Sequence, residues 1–467
     1  MTASVHHTTQ ETVEPSRSRS ALVAGSVGNF IEWYEFGVYG YFATIIAANF
    51  FTPEGGGDVE ALIKTYASFA LAFFFRPVGA ALFGRLGDRI GRRPTLVLVI
   101  LLMTGATTLI GLLPTYATLG AAAPWLLTLL RVVQGLSAGG EFGGAVSIMT
   151  EFAPPGKRGL YGAWQSFTVA LGLLGGAGAA ALLTVALTQA DLESWGWRLP
   201  FLSTLPMGLA ALWLRLRMEE TPAFSRTKGE TVQAPTRADR PDRTGRQEQL
   251  DRAHGTKGPA EGPGAAPRPG EVARAIALGA GRLMGWSAAG YTFLVVLPSY
   301  LQSTLNASFR QALLATVLAN LGFALAIIPA GVLSDRIGRR PVMTAGAALV
   351  AVLAFPLLNL LQDPAAPTTA KGAAVLAAGA VVGLMAGPGP AMLAEMFPTR
   401  VRCTGLGLSY ALSNAVFSGC AGLIITETIK RTGDADIPAY YVAVTCAISV
   451  AALLTLRGDD HRRSLRD

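Results

Sequence analysis

GRLGDRIGRRP at 84–94 returns as GVLSDRIGRRP at 331–341, changed only where Arg85 gives way to Val332 and Gly87 to Ser334. Near-identity across half the chain marks an internal repeat. One loop further on, EFAPPGKRG at 151–159 is answered by EMFPTRVRCTG at 395–405. Outward from these anchors, apolar runs fall at 21–48, 65–83, 95–113, 124–149, 160–187 and 199–216, and again at 274–301, 311–332, 342–361, 372–394, 403–428 and 438–456. Each is near the roughly 20 residues that about 30 Å of hydrocarbon demands of a helix. Six runs per half, with matching loops at matching places, describe an all-α membrane protein of twelve transmembrane helices in two six-helix bundles, at 21–216 and 272–456.

Composition agrees. Of 467 residues 51% are hydrophobic and 15% charged, a balance that suits a bilayer better than water. The net charge of +8 does not point to nucleic acid, because the basic residues cluster in short loops between apolar runs. Those clusters, at Arg85, Arg89, Arg92 and Arg93, at Lys157 and Arg158, at Arg336, Arg339 and Arg340, and at Arg400 and Arg402, occupy alternate loops. They place these loops and both termini (1–20 and 457–467) in the cytoplasm of a cell bounded by a plasma (inner) membrane. The opposite loops lean acidic, with Glu54, Asp58 and Glu60, and Asp191 and Glu193. The segment 217–271 is polar, Pro- and Gly-rich, and reads as a disordered cytoplasmic linker. The first twenty residues lack the basic start and apolar core of a cleaved signal.

Glu32, Glu35, Arg76, Arg131 and Glu141 fall well within the apolar runs. Each costs roughly 2.5 to 3.5 kcal/mol at the bilayer centre, so each must face a watery cavity, find a partner or, for a glutamate, take up a proton. Glu32 lies about eleven residues into its helix, roughly 16 Å deep, with Glu35 three residues on along the same face. One reading makes a glutamate, Glu32, Glu35 or Glu141, the carrier of a coupled proton; the other makes it half of a permanent ion pair with Arg76 or Arg131. Arg131, Gln134, Ala138 and Glu141 form a polar stripe on the fourth helix, and Gly135, Gly139 and Gly143 a small-residue stripe suited to close packing, expected against Gly172 and Gly176 of the fifth. An arginine stays charged and grips a carboxylate with two hydrogen bonds, so Arg76 and Arg131 are candidates for substrate binding as well as for structural pairing. Tyr410 and Asn414 share a face of the eleventh helix, and Trp286 and Tyr291 belong to the seventh; they either line a cavity or pack. The four histidines lie outside the helices, and Cys403, Cys420 and Cys446 have no ligand spacing, so neither an enzyme nor a metal site is expected.

The loop carrying Gly84, Leu86, Asp88, Arg89, Gly91, Arg92 and Arg93 resembles the signature of the major facilitator superfamily, in both halves. GNFIEWYEFGVYGYFA at 28–43, RVVQGLSAGGEFGG at 131–144, YGAWQ at 161–165 and WGWRLPF at 195–201 resemble its metabolite:proton symporter branch, except that Glu35 stands where that branch usually has aspartate. The resemblance implies a secondary transporter driven by the proton gradient, without a cofactor and working as a monomer. It implies substrate contact for Gln165, and a cytoplasmic latch at Gly84, Asp88, Arg89 and Arg92 and, in the second copy, at Asp335, Arg336 and Arg340. LGLLGGAGAA at 171–180 lacks the Gly-Pro pair that resembles antiporters, which favours import. Two intramembrane arginines and GLSYALSNAVFSG at 407–419 favour α-ketoglutarate or a related dicarboxylate. EETPAF at 219–224 and IPAYY at 437–441 favour a proline or betaine carrier. A solute sensor that does not transport is the remaining alternative.

Overall fold

The computed structural model describes residues 15–52, 58–90, 92–151, 153–154, 156–216, 269–398 and 401–457. The linker expected at 217–271 lies almost wholly outside them. So do the side chains of Asp88, Arg89 and Arg92 and the surroundings of Gly84, four residues of the first latch.

Twelve long helices follow the apolar runs. In the first half α1 spans Pro15–Tyr41 and continues through Ala43–Ile46 into a π-helical turn at Ala47–Phe51; α2 is Asp58–Ile90 and α3 Arg92–Leu112. The fourth, α4, comes in two pieces, Ala122–Ala138 and Phe142–Glu151; α5 is Arg158–Ala186, and α6 the broken span Gln189–Leu216. In the second half α7 runs from Pro269–Tyr291 through a π-helical turn at Thr292–Val296 to Leu297–Ser303, followed by α8 (Phe309–Ile337), α9 (Arg339–Gln362), α10 (Thr368–Met396), α11 (Arg402–Thr432) and α12 (Ile437–Leu454). Among the described residues nine helices are long and apolar enough to cross a membrane by length and composition. The other three are α1, α4 and α7. A turn divides α4 into pieces of 17 and 10 residues; the three helices hold Glu32 and Glu35, Arg131 and Gln134, and Arg282 and Ser287, all buried.

Close packing follows the repeat. A Cβ on Gly135 or Gly139 of α4 would overlap the carbonyl oxygen of Ala72 or Arg76 on α2, and one on Gly322 or Gly379 would do the same across α8 and α10. The small-residue stripe of α4 therefore packs on α2, not on α5 as its spacing suggested. Gly172 of α5 instead meets Phe30 of α1, and Gly143 approaches Cys403 of α11. A glycine stripe says that some backbone comes close, but which one depends on how the helix is rotated.

The two halves touch at both ends of the bundle. At the end carrying the repeated loops, called here the loop end, α5 meets α8 and α4 meets α11. There the Phe142 and Tyr410 rings stack with centroids 3.5 Å apart, and Cys403 Sγ donates to Ser147 Oγ at 3.2 Å. At the far end, the Tyr66 and Ser299 hydroxyls are 2.5 Å apart and Thr44 donates to Gln302 at 3.1 Å.

Candidate functional site

Four buried charges of the first half, Glu32, Glu35, Arg76 and Arg131, gather around one ring. Glu32 and Glu35 are three positions apart on α1, so they share a face yet address neighbouring helices. Glu32 Oε1 lies 3.1 Å from Arg76 Nη2 of α2, both side chains buried. Glu35 Oε2 accepts from Thr107 Oγ1 of α3 at 2.7 Å. Thr107 in turn accepts from Gln134 Nε2 at 2.5 Å, and Gln134 Oε1 accepts from Arg131 Nη1 at 2.6 Å. Both guanidinium groups lie on aromatic faces, Arg76 with Phe36, Phe73 and Trp33, and Arg131 with Tyr39, Phe36 and Phe69, all within 4.1 to 5.5 Å. Phe36 is common to both. Such contacts contribute ~2 kcal/mol or more to a desolvated cation.

These arginines are not equivalent. Arg76 has a carboxylate beside it; Arg131 has none within ion-pairing distance among the described residues. Arg131 Nε and Nη2, Arg76 Nε and Glu35 Oε1 are buried without a hydrogen-bond partner among those residues. Bonding capacity left open in a desolvated place is what a site for a charged solute requires. Glu141 stands apart. It lies in the turn between the two pieces of α4 and pairs with Arg215 of α6, which also donates to the Leu96 carbonyl at 2.8 Å.

Between the halves a cavity of about 30 Å³ is walled by Trp33, Leu173, Trp286, Tyr291, Tyr410 and Asn414, among others. That is room for about two waters, so a solute fits only when the halves part. Tyr291 packs edge-on against Phe73 at 5.3 Å, the ring that carries Arg76. Its hydroxyl has no hydrogen-bond partner among the described residues. Asn414 donates to the Tyr410 carbonyl at 3.1 Å and accepts from Ser418 at 2.7 Å. Asn414 begins a π-helical turn at Asn414–Gly419, and α7 has its own at Thr292–Val296, so both second-half helices widen locally beside the cavity, a habit of functional sites. Gln165 does not line the cavity; it is buried against Asn29 of α1, whose amide donates to the Gln165 carbonyl at 3.1 Å.

At the loop end, Asp335 reaches across the halves to the start of α5, accepting from Gly159 N at 2.7 Å and Leu160 N at 2.9 Å. A carboxylate there satisfies two free amides and opposes the helix dipole. Arg339 bonds Asp335 at 2.8 Å and Glu395 at 3.0 Å, and Arg158 lies 3.3 Å from Glu395. Two acids and two bases balance. Arg336 is exposed and Arg340 half-buried, and neither joins this cluster among the described residues. α8 ends at Ile337, and the positive φ of Gly338 turns the chain so that Arg339, the first residue of α9, points back at the junction. Asp335→Asn is expected to loosen this end and to lower the unfolding free energy by roughly 1.5 to 3 kcal/mol, the equivalent of one charge-assisted hydrogen bond, read in thermal unfolding. An unchanged melting temperature would show that the junction holds without Asp335.

Thr107, Arg215, Glu395 and Arg339 are the contacts that reading the chain did not single out as site residues. Thr107 left no signal, since a threonine in an apolar helix ordinarily bonds its own backbone. Arg339 read as one of the topology-setting cations of its loop, and Arg215, at the end of its apolar run, drew no reading.

Known proteins support the architecture. A family model described as sugar (and other) transporter matches residues 21–456. The ectoine/proline transporter ProP of Corynebacterium glutamicum is 34% identical over 449 residues, 95% of this chain and 84% of that protein. The alpha-ketoglutarate permease of Escherichia coli is 35% identical over 444 residues, 93% and 92% of the two chains. The structure of the proton:xylose symporter XylE of Escherichia coli superposes with a TM-score of 0.72 at 19% identity, covering 95% of each chain. The protein is a multi-pass membrane transporter and not an enzyme, and it belongs to the sugar (and other) transporter family of the major facilitator superfamily.

Proposed function

We propose that this transporter imports a small zwitterion of the proline, ectoine or betaine kind, one carboxylate joined to a nitrogen cation (ammonium or amidinium), together with a proton. The observation that carries this reading is an aromatic-walled cavity, with Trp33, Trp286, Tyr291 and Tyr410, and, outside its lining, two arginines one ring behind, Arg76 over Trp33 and Arg131 over Phe69, which packs on Tyr291, of which only Arg131 lacks a carboxylate partner among the described residues. Aromatic faces hold an ammonium group; a guanidinium fork holds one carboxylate. The ectoine/proline relative supports the same solute class.

Coupling rests on Glu32 and Glu35. A proton on Glu32 removes the negative charge that offsets Arg76, so two uncompensated guanidinium groups together draw the solute carboxylate to Arg131. Solute and proton therefore favour each other's binding. Alternating access follows if the far-end contacts Tyr66–Ser299 and Thr44–Gln302 and the loop-end cluster of Asp335, Arg339, Glu395 and Arg158 break in turn. In this reading the loop end faces the cytoplasm with both termini, the membrane is the plasma (inner) membrane, the proton gradient supplies the energy without a cofactor, and the monomer suffices.

A second reading, import of α-ketoglutarate or another dicarboxylate, draws on the presence of two buried arginines around Phe36 and on the permease relative. It requires Glu32 to release Arg76 for a second carboxylate. Uptake of labelled proline and labelled α-ketoglutarate into proteoliposomes, with and without an inward proton gradient, separates the two. Gradient-driven accumulation of proline, competed by betaine and not by α-ketoglutarate, is the expected result. Accumulation of α-ketoglutarate alone would replace the zwitterion with the dianion, and accumulation that ignores the gradient would remove the proton.

A further inference from the structure

The chain of bonds from Arg131 to Glu35 has one direction. Arginine has only donors, so Arg131 Nη1 at 2.6 Å fixes the Gln134 amide with its oxygen toward the guanidinium. The amide nitrogen must then donate onward to Thr107 Oγ1, at 2.5 Å, and Thr107 to Glu35 Oε2, at 2.7 Å. With the Thr107 hydrogen on Glu35, every hydrogen points toward the carboxylate, the pattern of an ionised Glu35. Thr107 has one hydroxyl hydrogen and a second acceptor in reach, the Met103 carbonyl at 3.0 Å.

That spare acceptor gives the chain a second saturated state. When a proton arrives on Glu35 Oε2, the new O–H donates to Thr107, whose own hydrogen turns to Met103. The Thr107 oxygen then accepts from Glu35 and from Gln134, one lone pair for each. Gln134 no longer donates to a hydroxyl polarised by a carboxylate, and the charge-assisted character of the chain is lost. We propose that Thr107 and Gln134 are positioning residues of the proton step, which carry the protonation state of Glu35 on α1 to the guanidinium of Arg131 on α4 and so set when Arg131 is released to a solute. The proposal rests on the proton-coupled reading above. The other charged or titratable groups acting on Glu35 are Glu32 and Tyr34 of its own helix and Glu141 of α4. None of them takes a place in this chain of bonds.

The test uses the full-length protein in proteoliposomes with two readouts: the pH titration of the protonated-carboxyl stretch by infrared difference spectroscopy, and gradient-driven uptake of labelled proline. Glu35→Gln is expected to delete a component of the band and abolish accumulation. Thr107→Val, which keeps shape and removes the hydroxyl, should move the pH midpoint of that component by about tenfold in proton concentration, and Thr107→Ser should return it to within about twofold. Gln134→Leu cuts the next link, so the Thr107→Val/Gln134→Leu pair should cost uptake no more than about twofold beyond the worse single variant. A Thr107→Val band that titrates as in the native protein, or double-variant losses that multiply, would overturn the relay while leaving Glu35 as proton carrier. Intact accumulation in Glu35→Gln would overturn the role of Glu35 itself, and the relay with it.

Discussion

Glu32→Gln should lower the melting temperature of the purified transporter more than Arg76→Gln does, and the double variant should recover most of the loss. Removing one partner of a buried pair costs roughly 3 to 5 kcal/mol, because the charge left behind has neither water nor counter-ion. The two orphans differ. The Arg76 guanidinium cannot give up its proton, so in Glu32→Gln it stays charged over Phe36 and Phe73; a carboxylate left alone in Arg76→Gln can neutralise itself. With both gone, neither member of the pair is left as an uncompensated charge, so stability returns while transport does not. Glutamine also imitates the protonated carboxyl, so an added carboxylate solute should raise the melting temperature of Glu32→Gln by more than that of the native protein. Thermal unfolding followed by tryptophan fluorescence, with and without solute, measures all four combinations. Equal losses in both single variants, with no recovery in the double, would make the pair a packing contact without an electrostatic core.

Arg131→Lys should raise the solute concentration needed for half-maximal uptake by about a hundredfold, although charge is conserved. The guanidinium plane lies over Tyr39 at 4.1 Å and also meets Phe36 and Phe69. It bonds Gln134 through Nη1 and leaves Nε and Nη2 open. An ammonium has neither the flat faces nor the fork, and it is more strongly hydrated, so it loses both the stacking and the paired hydrogen bonds to a carboxylate. Two such bonds, at roughly 1.5 to 3 kcal/mol each, account for a hundredfold or more. Concentration dependence of uptake at fixed proton gradient reads the effect. Native affinity in Arg131→Lys would reduce the residue to a point charge that supports the fold.

The intramembrane charges were legible in the chain as positions and illegible as pairs. Glu32, Glu35, Arg76 and Arg131 announce themselves because an ion in an apolar run costs free energy that something must offset, and that holds whatever the fold. Nothing in the order of residues says that Glu32 meets Arg76 while Glu35 reaches Arg131 only through Thr107 and Gln134. The same limit explains Gly135 and Gly139, recognisable as a close-packing stripe but assigned to a partner only once α2 lay against α4. It also explains Arg339, one of three basic residues in the second loop, which the turn at Gly338 aims at Asp335 and Glu395.

The sequence by itself determined twelve spans, their division into two repeated bundles, the membrane setting and the short set of residues too polar to be there by default. All of these follow from local quantities: the length of an apolar run, the identity of two loops, the cost of one buried charge. Tertiary structure alone decided which charges neutralise each other, which arginine keeps bonding capacity in reserve, and which aromatic rings from opposite halves wall the cavity. Those depend on the rotation and crossing of helices distant in the chain, where a turn of one residue, about 100° in a helix, exchanges every neighbour a side chain has.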